Sequence, residues 1–354
     1  MSENVQASFS LPARRETFLA RYPRNLKLFV TTVLFAAVVL PPAWLHGQSR
    51  RGSFLSQMAL VKKAQIESSL SGETVSDSNA PALNDPNDRS VKLVSAPDSR
   101  VTEDTEEGPL PRIGEDGSVP WHLYARPFNM ADKRPRISVV VTDLGLSRAI
   151  TDQAIVQLPP VVTLSFNSQG SVVGAWGTRA RQDGHEILIQ VPVEPFDYPQ
   201  SDPGPDTLLT NLSNSENLAR LYKGMRQMPG YIGVTTTLGS RFASDPDKFD
   251  LILQVLRERG LMVFDSRAAP RSIVSNRAKT VGVPVATATQ RLDIDLSSDA
   301  IDVALQSLEK TARQSGRAIG ITAATPLMIS KLQAWMETLP EQGIALAPLS
   351  AMVQ

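Results

Sequence analysis

The run Ile137-Ser138-Val139-Val140-Val141-Thr142-Asp143-Leu144-Gly145 decides the fold class. Four of its first five residues are β-branched, and none is charged. Such a segment packs well as a buried strand and poorly as a helix. A polar stretch with helical spacing follows at 147–157, and a second apolar strand at 161–166. Strand, helix, strand within about thirty residues is the pattern of a βαβ unit.

The alternation continues to the end of the chain. Helices are expected near 172–182, 214–228, 245–259, 272–280, 298–315 and 327–338. Strands are expected at 186–191, 231–235, 261–264, 284–287, 318–322 and 344–347. Ser213 is placed to cap the 214–228 helix, and Gly260 and Gly316 to end the helices before them. This order implies parallel βα units in one sheet or barrel, an α/β fold.

In such folds the chemistry gathers where the strands end. The residues that follow successive strands are Thr142 and Asp143; Glu194; Thr236, Thr237 and Arg241; Asp265, Ser266 and Arg267; and Thr322 and Ala323. These polar and charged groups converge on one face. Between strands, the 192–206 loop contains five prolines and forms a stiff wall beside that face. Trp176 and Tyr198 are candidates to stack on a sugar, or simply to pack.

The 354 residues carry 36 Lys+Arg against 36 Asp+Glu, three histidines and no cysteine. Zero cysteine excludes disulfide scaffolds, thiol nucleophiles and Cys-ligated zinc. Zero net charge gives no footprint for nucleic acid. The balance is nonetheless a sum of unequal blocks. Residues 1–27 and 28–65 are basic, at +3 and +4; residues 66–120 stand at −8; the remaining 234 residues stand at +1.

From Leu28 to Leu45, 14 of 18 residues are apolar and none is charged. Five basic residues precede the run. Residues 28–46 therefore read as a transmembrane anchor or signal sequence, with 1–27 cytoplasmic. The expected location is a bacterial inner membrane, crossed once, with the C-terminal domain in the periplasm. Residues 47–120 read as a disordered acidic linker, because the 66–120 stretch contains no Phe, Trp or Tyr. Residues 121–354 read as the folded domain.

The blocks VVVTDLG (139–145), GHEILIQVPVEP (184–195), GVTTTLGS (233–240), VFDSR (263–267) and AIGITAATP (318–326) resemble the divergent polysaccharide deacetylase family. The resemblance implies a distorted (β/α)7-type barrel of the NodB kind. It also implies metal-assisted removal of N-acetyl groups from envelope glycans. A divalent metal such as Zn, held by one Asp and two His, polarises the acetyl carbonyl while a carboxylate base activates water.

Several of the residues that this chemistry needs are replaced. Asp143 matches the metal-binding Asp, but Thr142 stands at the presumed base. Thr236 and Thr237 stand at an Asn-His pair, and Ala323 at a second His. His185 begins a strand at the opposite pole and is expected to pack or cap rather than ligate. An all-oxygen set of Asp143, Glu194 and Asp265 would suit Mg or Ca better than Zn. The expectation is a non-catalytic module with no required cofactor. Its pocket would be formed by Asp143, Glu194, Thr236, Asp265, Ser266 and Arg267, and it would bind cell-wall glycan or an envelope protein. The alternative is an active metal-dependent deacetylase with an atypical site.

Overall fold

The computed structural model describes residues 84–354, apart from 239–240 and 268–271. The apolar run at 28–46 and its basic flank lie outside the described residues. Among the described residues no helix is long and apolar enough to cross a membrane.

The chain opens with a hairpin of β1 (Thr102–Thr105) and β2 (Gly108–Pro111), then a one-turn helix α1 (Pro120–Leu123). The alternating series follows: β3 (Arg136–Leu144), α2 (Arg148–Gln157), β4 (Thr163–Asn167), α3 (Val173–Gln182), β5 (Ile187–Val193), α4 (Asn214–Met225), β6 (Gly233–Leu238) and α5 (Pro246–Glu258). It continues through β7 (Met262–Asp265), α6 (Val274–Val281), β8 (Val285–Thr287), β9 (Gln290–Arg291), α7 (Ser298–Ser315), β10 (Arg317–Ala323), α8 (Pro326–Thr338) and β11 (Ala345–Leu346).

All strands from β3 onward pair in parallel, in the order β8-β7-β6-β5-β4-β3-β10-β9, with β11 against the start of β3. The 285–292 segment acts as a strap. It begins paired to β7 and ends paired to β10. Between them, the Ala288 N–H donates to Asp265 O and the Thr289 N–H to Ile319 O. The sheet is thereby rolled into a partial barrel, with its two ends held by one short piece of chain.

Period-two alternation along the strands makes two apolar layers. Val139, Val141, Ile187, Ile189, Val234 and Val263 face the helices. Val140, Leu188, Phe264, Ile319 and Ile321 belong to an inner cluster. The helices start where the sequence gives capping groups. Ser213 and Glu216 form a capping box on α4, Asp245 accepts from two amides of α5, and Thr325 caps α8.

Residues 84–120 correct the expectation of a disordered linker. The segment lacks aromatic residues, yet it docks on the pole where strands begin. Val101 and Leu110 are fully buried there. Arg181, itself buried, donates to Val94 O at 2.6 Å, to Tyr124 O at 3.0 Å and to Gly230 O at 2.9 Å. Arg126 reaches Asp88 O at 2.7 Å and Gly184 O at 3.0 Å. Two guanidinium groups of the body thus supply donors that composition alone did not reveal.

Candidate functional site

The face built by the strand ends is shaped first by Asp143. The β3–β4 register shifts between Val141 and Leu144, and Asp143 takes a left-handed backbone with φ 62°. Left-handed geometry is strained for a residue with a side chain, at roughly 1–3 kcal/mol, although Asp tolerates it better than most. A bulge of this kind re-aims a side chain. Here it turns Asp143 across β4 toward β5, where Gln190 clamps it twice. The Gln190 amide donates to Asp143 Oδ1 at 2.8 Å, and its carbonyl accepts the Asp143 N–H at 3.0 Å. Thr142 Oγ1 donates to Asp143 Oδ2 at 3.2 Å. Both carboxylate oxygens are therefore already engaged.

Glu194, at the end of β5, is buried. One of its oxygens accepts from Thr210 N at 2.6 Å and Thr210 Oγ1 at 2.7 Å, and the other from Arg241 at 3.1 Å. Burial alone would raise this carboxyl, but the Thr210 and Arg241 donors outweigh it and hold it below the usual glutamate range. Asp265, also buried, accepts from the Arg267 N–H at 3.0 Å and Ser272 Oγ at 2.9 Å. Arg267 has φ 52° and its side chain is exposed. Arg267 meets Asp265 through its backbone amide rather than through its guanidinium. Ser266 is buried, and Thr236 is half-buried on β6 opposite Val191. Thr237 lies on β6 opposite Pro192.

Sequence reasoning missed two groups. Gln190 is a lone polar residue in the otherwise apolar strand ILIQVPV, and that isolation was the available signal. Asp293 follows β9, and its Oδ2 accepts the Ala323 N–H at 2.7 Å while it pairs with Arg291 at 2.8 Å. Ala323 itself stands opposite Thr142, so the two substituted positions are neighbours. The stacking candidates are not brought together here. Trp176 packs against the helix-side core under Arg179, and Tyr198 is half-buried in the loop after β5.

His185 is fully buried at the far pole. Its ring nitrogens lie 2.8 Å from Val162 O and 3.1 Å from Ile155 O. Burial pushes its pKa down to about 4, against the pull of those carbonyls. It packs between α2 and β4 and takes no part in the strand-end face.

A model of the divergent polysaccharide deacetylase family matches residues 139–353. The chain belongs to that family. Among solved structures, an uncharacterized protein of Agrobacterium tumefaciens C58, ATU2773, is 37% identical. It superposes with a TM-score of 0.67 and covers 69% of this chain and 99% of its own. An uncharacterized Haemophilus influenzae protein is 26% identical over 208 residues, which is 58% of this chain and 72% of the relative. The uncharacterized Escherichia coli protein YibQ is 22% identical over 205 residues, 58% of this chain and 63% of YibQ.

The divergent deacetylase fold raises the question of a metal. Among the described residues no three His, Asp or Glu side chains are grouped to hold one. Asp143 is the family's retained ligand position, and its oxygens are bonded to Gln190 and Thr142. Glu194 is bonded to Thr210 and Arg241. Among the described residues the strand-end donors are carboxylates without a histidine, a set that does not fit the one-Asp, two-His zinc site of the family's chemistry.

Proposed function

We propose that this chain is a non-catalytic member of the divergent deacetylase family, a binding domain linked to cell-wall glycan metabolism. One observation carries the reading. The family's retained carboxylate, Asp143, stands beside Thr142 and Ala323 rather than a base and a histidine, with its two oxygens held by Gln190 and Thr142. A threonine hydroxyl without an activating partner is no general base near neutral pH. The strand-end face keeps fixed polar groups that suit recognition of an envelope glycan or protein. The basic residues before 28–46 support an inner-membrane anchor with the domain in the periplasm.

Metal analysis of the purified chain, with turnover assays on acetylated glycan oligomers, tests the reading. The expected result is no stoichiometric metal and no turnover. Stoichiometric metal, with turnover abolished by Asp143→Ala, would establish an atypical active deacetylase instead. Alkaline extraction of membranes checks the anchor, which predicts retention of the chain in the membrane fraction.

A further inference from the structure

We infer that the groove at the opposite pole, where β3 and β10 begin, is a contact site for the phosphate groups of an anionic membrane surface. This rests on the inner-membrane anchor proposed above, and it names how the folded domain meets the same bilayer.

The groove has a volume of about 310 Å³ and lies against the first residues of β3 and β10. Four basic side chains line it, Lys133, Arg134, Arg136 and Arg317, against one acid, Asp132. Asp132 is already bound by Arg134 at 2.7 Å and by the Asn84 amide at 2.8 Å. Asp85, beside Asn84, and Glu341, before β11, do not line the groove. The C-terminal Gln354 is turned toward Val285 and Lys279. Lys133, Arg136 and Arg317 therefore stand without a carboxylate partner among the described residues.

Two of these cations are placed against their own electrostatics. Arg136 and Arg317 are register partners on neighbouring strands. Like charges side by side in a sheet repel and destabilise it. Other arginines of the domain meet carboxylates, as Arg100 meets Asp98 at 2.8 Å and Arg89 meets Asp183 at 3.6 Å. Arg136 is held by neutral groups instead. It donates to Met130 O at 3.3 Å and to Asp132 O at 3.5 Å, and lies 5.4 Å from the centre of the Phe128 ring. Arg317 is exposed, and its guanidinium has no partner among the described residues. A guanidinium held by carbonyls, or by nothing, keeps its charge and its fork of donors for phosphate oxygens.

Two further observations favour a bilayer over a soluble anion. Met130 lines the same groove and is 54% exposed. An apolar side chain among cations suits the boundary of headgroups and acyl chains, and gains nothing from a small anion in water. The chain also enters the domain at this place. Asn84 accepts the Asn129 N–H at 2.9 Å and donates to Asp132. The sequence leading back to the apolar run at 28–46 thus leaves the domain at the rim of the groove. A tether that ends beside a patch raises the patch's effective concentration at the tethering surface.

The chain has no cysteine, so one introduced residue can be labelled alone. The full chain carrying Met130→Cys and an environment-sensitive dye is reconstituted into vesicles of phosphatidylcholine, and into a series of rising phosphatidylglycerol content. Val303→Cys, exposed on α7, is the control. On the anionic vesicles the label at 130 is expected to be shielded from acrylamide, and the label at 303 is not. Arg317→Gln is expected to weaken the shielding, read across the phosphatidylglycerol series, about fivefold, from roughly 1 kcal/mol per basic side chain at such a surface. Arg317→Lys is expected to retain it. No shielding on anionic vesicles, equal shielding on neutral ones, equal shielding at 130 and 303, or no effect of Arg317→Gln each overturns the proposal. So does loss of shielding with inorganic phosphate at an ionic strength where chloride leaves it intact, which would assign the groove to a soluble phosphate. Flotation of the chain with phosphatidylcholine vesicles judges the anchor separately. A chain that fails to float there sinks the anchor reading, and the response at 130 to added anionic vesicles still decides the groove.

Discussion

Gln190 shows how one residue can set the state of a site. Its amide fills both the acceptor and the donor demands of Asp143, and it is buried. Gln190→Leu leaves Asp143 Oδ1 and the Asp143 N–H without their partners at a half-buried position, so it is expected to lower stability by about 1–3 kcal/mol in urea unfolding. Gln190→Glu faces one carboxylate with another, and its penalty should be larger at pH 7 than at pH 4, where the new side chain can carry a proton and donate. Asp143 was legible in the sequence because it ends a β-branched run. Gln190 was not, because an isolated polar residue in a strand says nothing about which neighbour it will reach over. Asp293 was passed over for a different reason: the strand before it is two residues long and leaves no periodicity to read.

His185 gives the residue scale a second test. Its folded pKa, pushed down to about 4 by burial, lies below the ordinary value near 6.5. Between those values the unfolded chain binds more protons than the folded one. Stability is therefore full above about pH 6.5 and is lost as pH falls toward 4, by on the order of 3 kcal/mol. Buried Glu186 acts with the opposite sign, since burial raises its pKa and its burden grows as pH rises through the ordinary carboxylate range. Comparing wild type with His185→Gln isolates the histidine. The variant should show a shallower loss of melting temperature between pH 6.5 and 4.

At the scale of elements, the helices and strands were readable because each carries its own period and its own stop signals. Asp245 illustrates the caps: it accepts from Asp247 N and Lys248 N at 3.1 Å. Asp245→Ala is expected to cost about 1 kcal/mol, measured by chemical denaturation. The segment from 84 to 120 was unreadable by the same rules. It has little period of its own, and what orders it is donated by Arg126 and Arg181 from elsewhere in the chain. A chain beginning at residue 121 should melt lower and less cooperatively than one beginning at 84, because Arg181 then loses Val94 O in a buried setting. Equal melting of the two would mean that the segment adds nothing to the fold.

At the scale of the whole molecule, the alternation of strand and helix fixed the parallel architecture, but not how the sheet is finished. Periodicity predicts strands one at a time, and the two-residue β9 has no recognisable pattern. The partnership of 285–292 with both β7 and β10 depends on side chains far apart in sequence, such as Leu292 beside Gly320, where a Cβ on the glycine would come within about 3.0 Å. The site was legible in part for the same reason. Residues at strand ends could be named in order, while the bonds among them cross one or two strands and leave no trace in spacing.

The strap has one more effect. The outer side of β8 is met by the C-terminal residue, whose Gln354 N–H donates to Val285 O, and β9 is bound along β10. The margin at β8 is thereby blunted at Val285, where a vacant carbonyl would otherwise be open to another strand. A strand added at β8 would have to displace the C-terminal residue from Val285. The Gln354 amide should therefore exchange with heavy water more slowly than that of a frayed terminus.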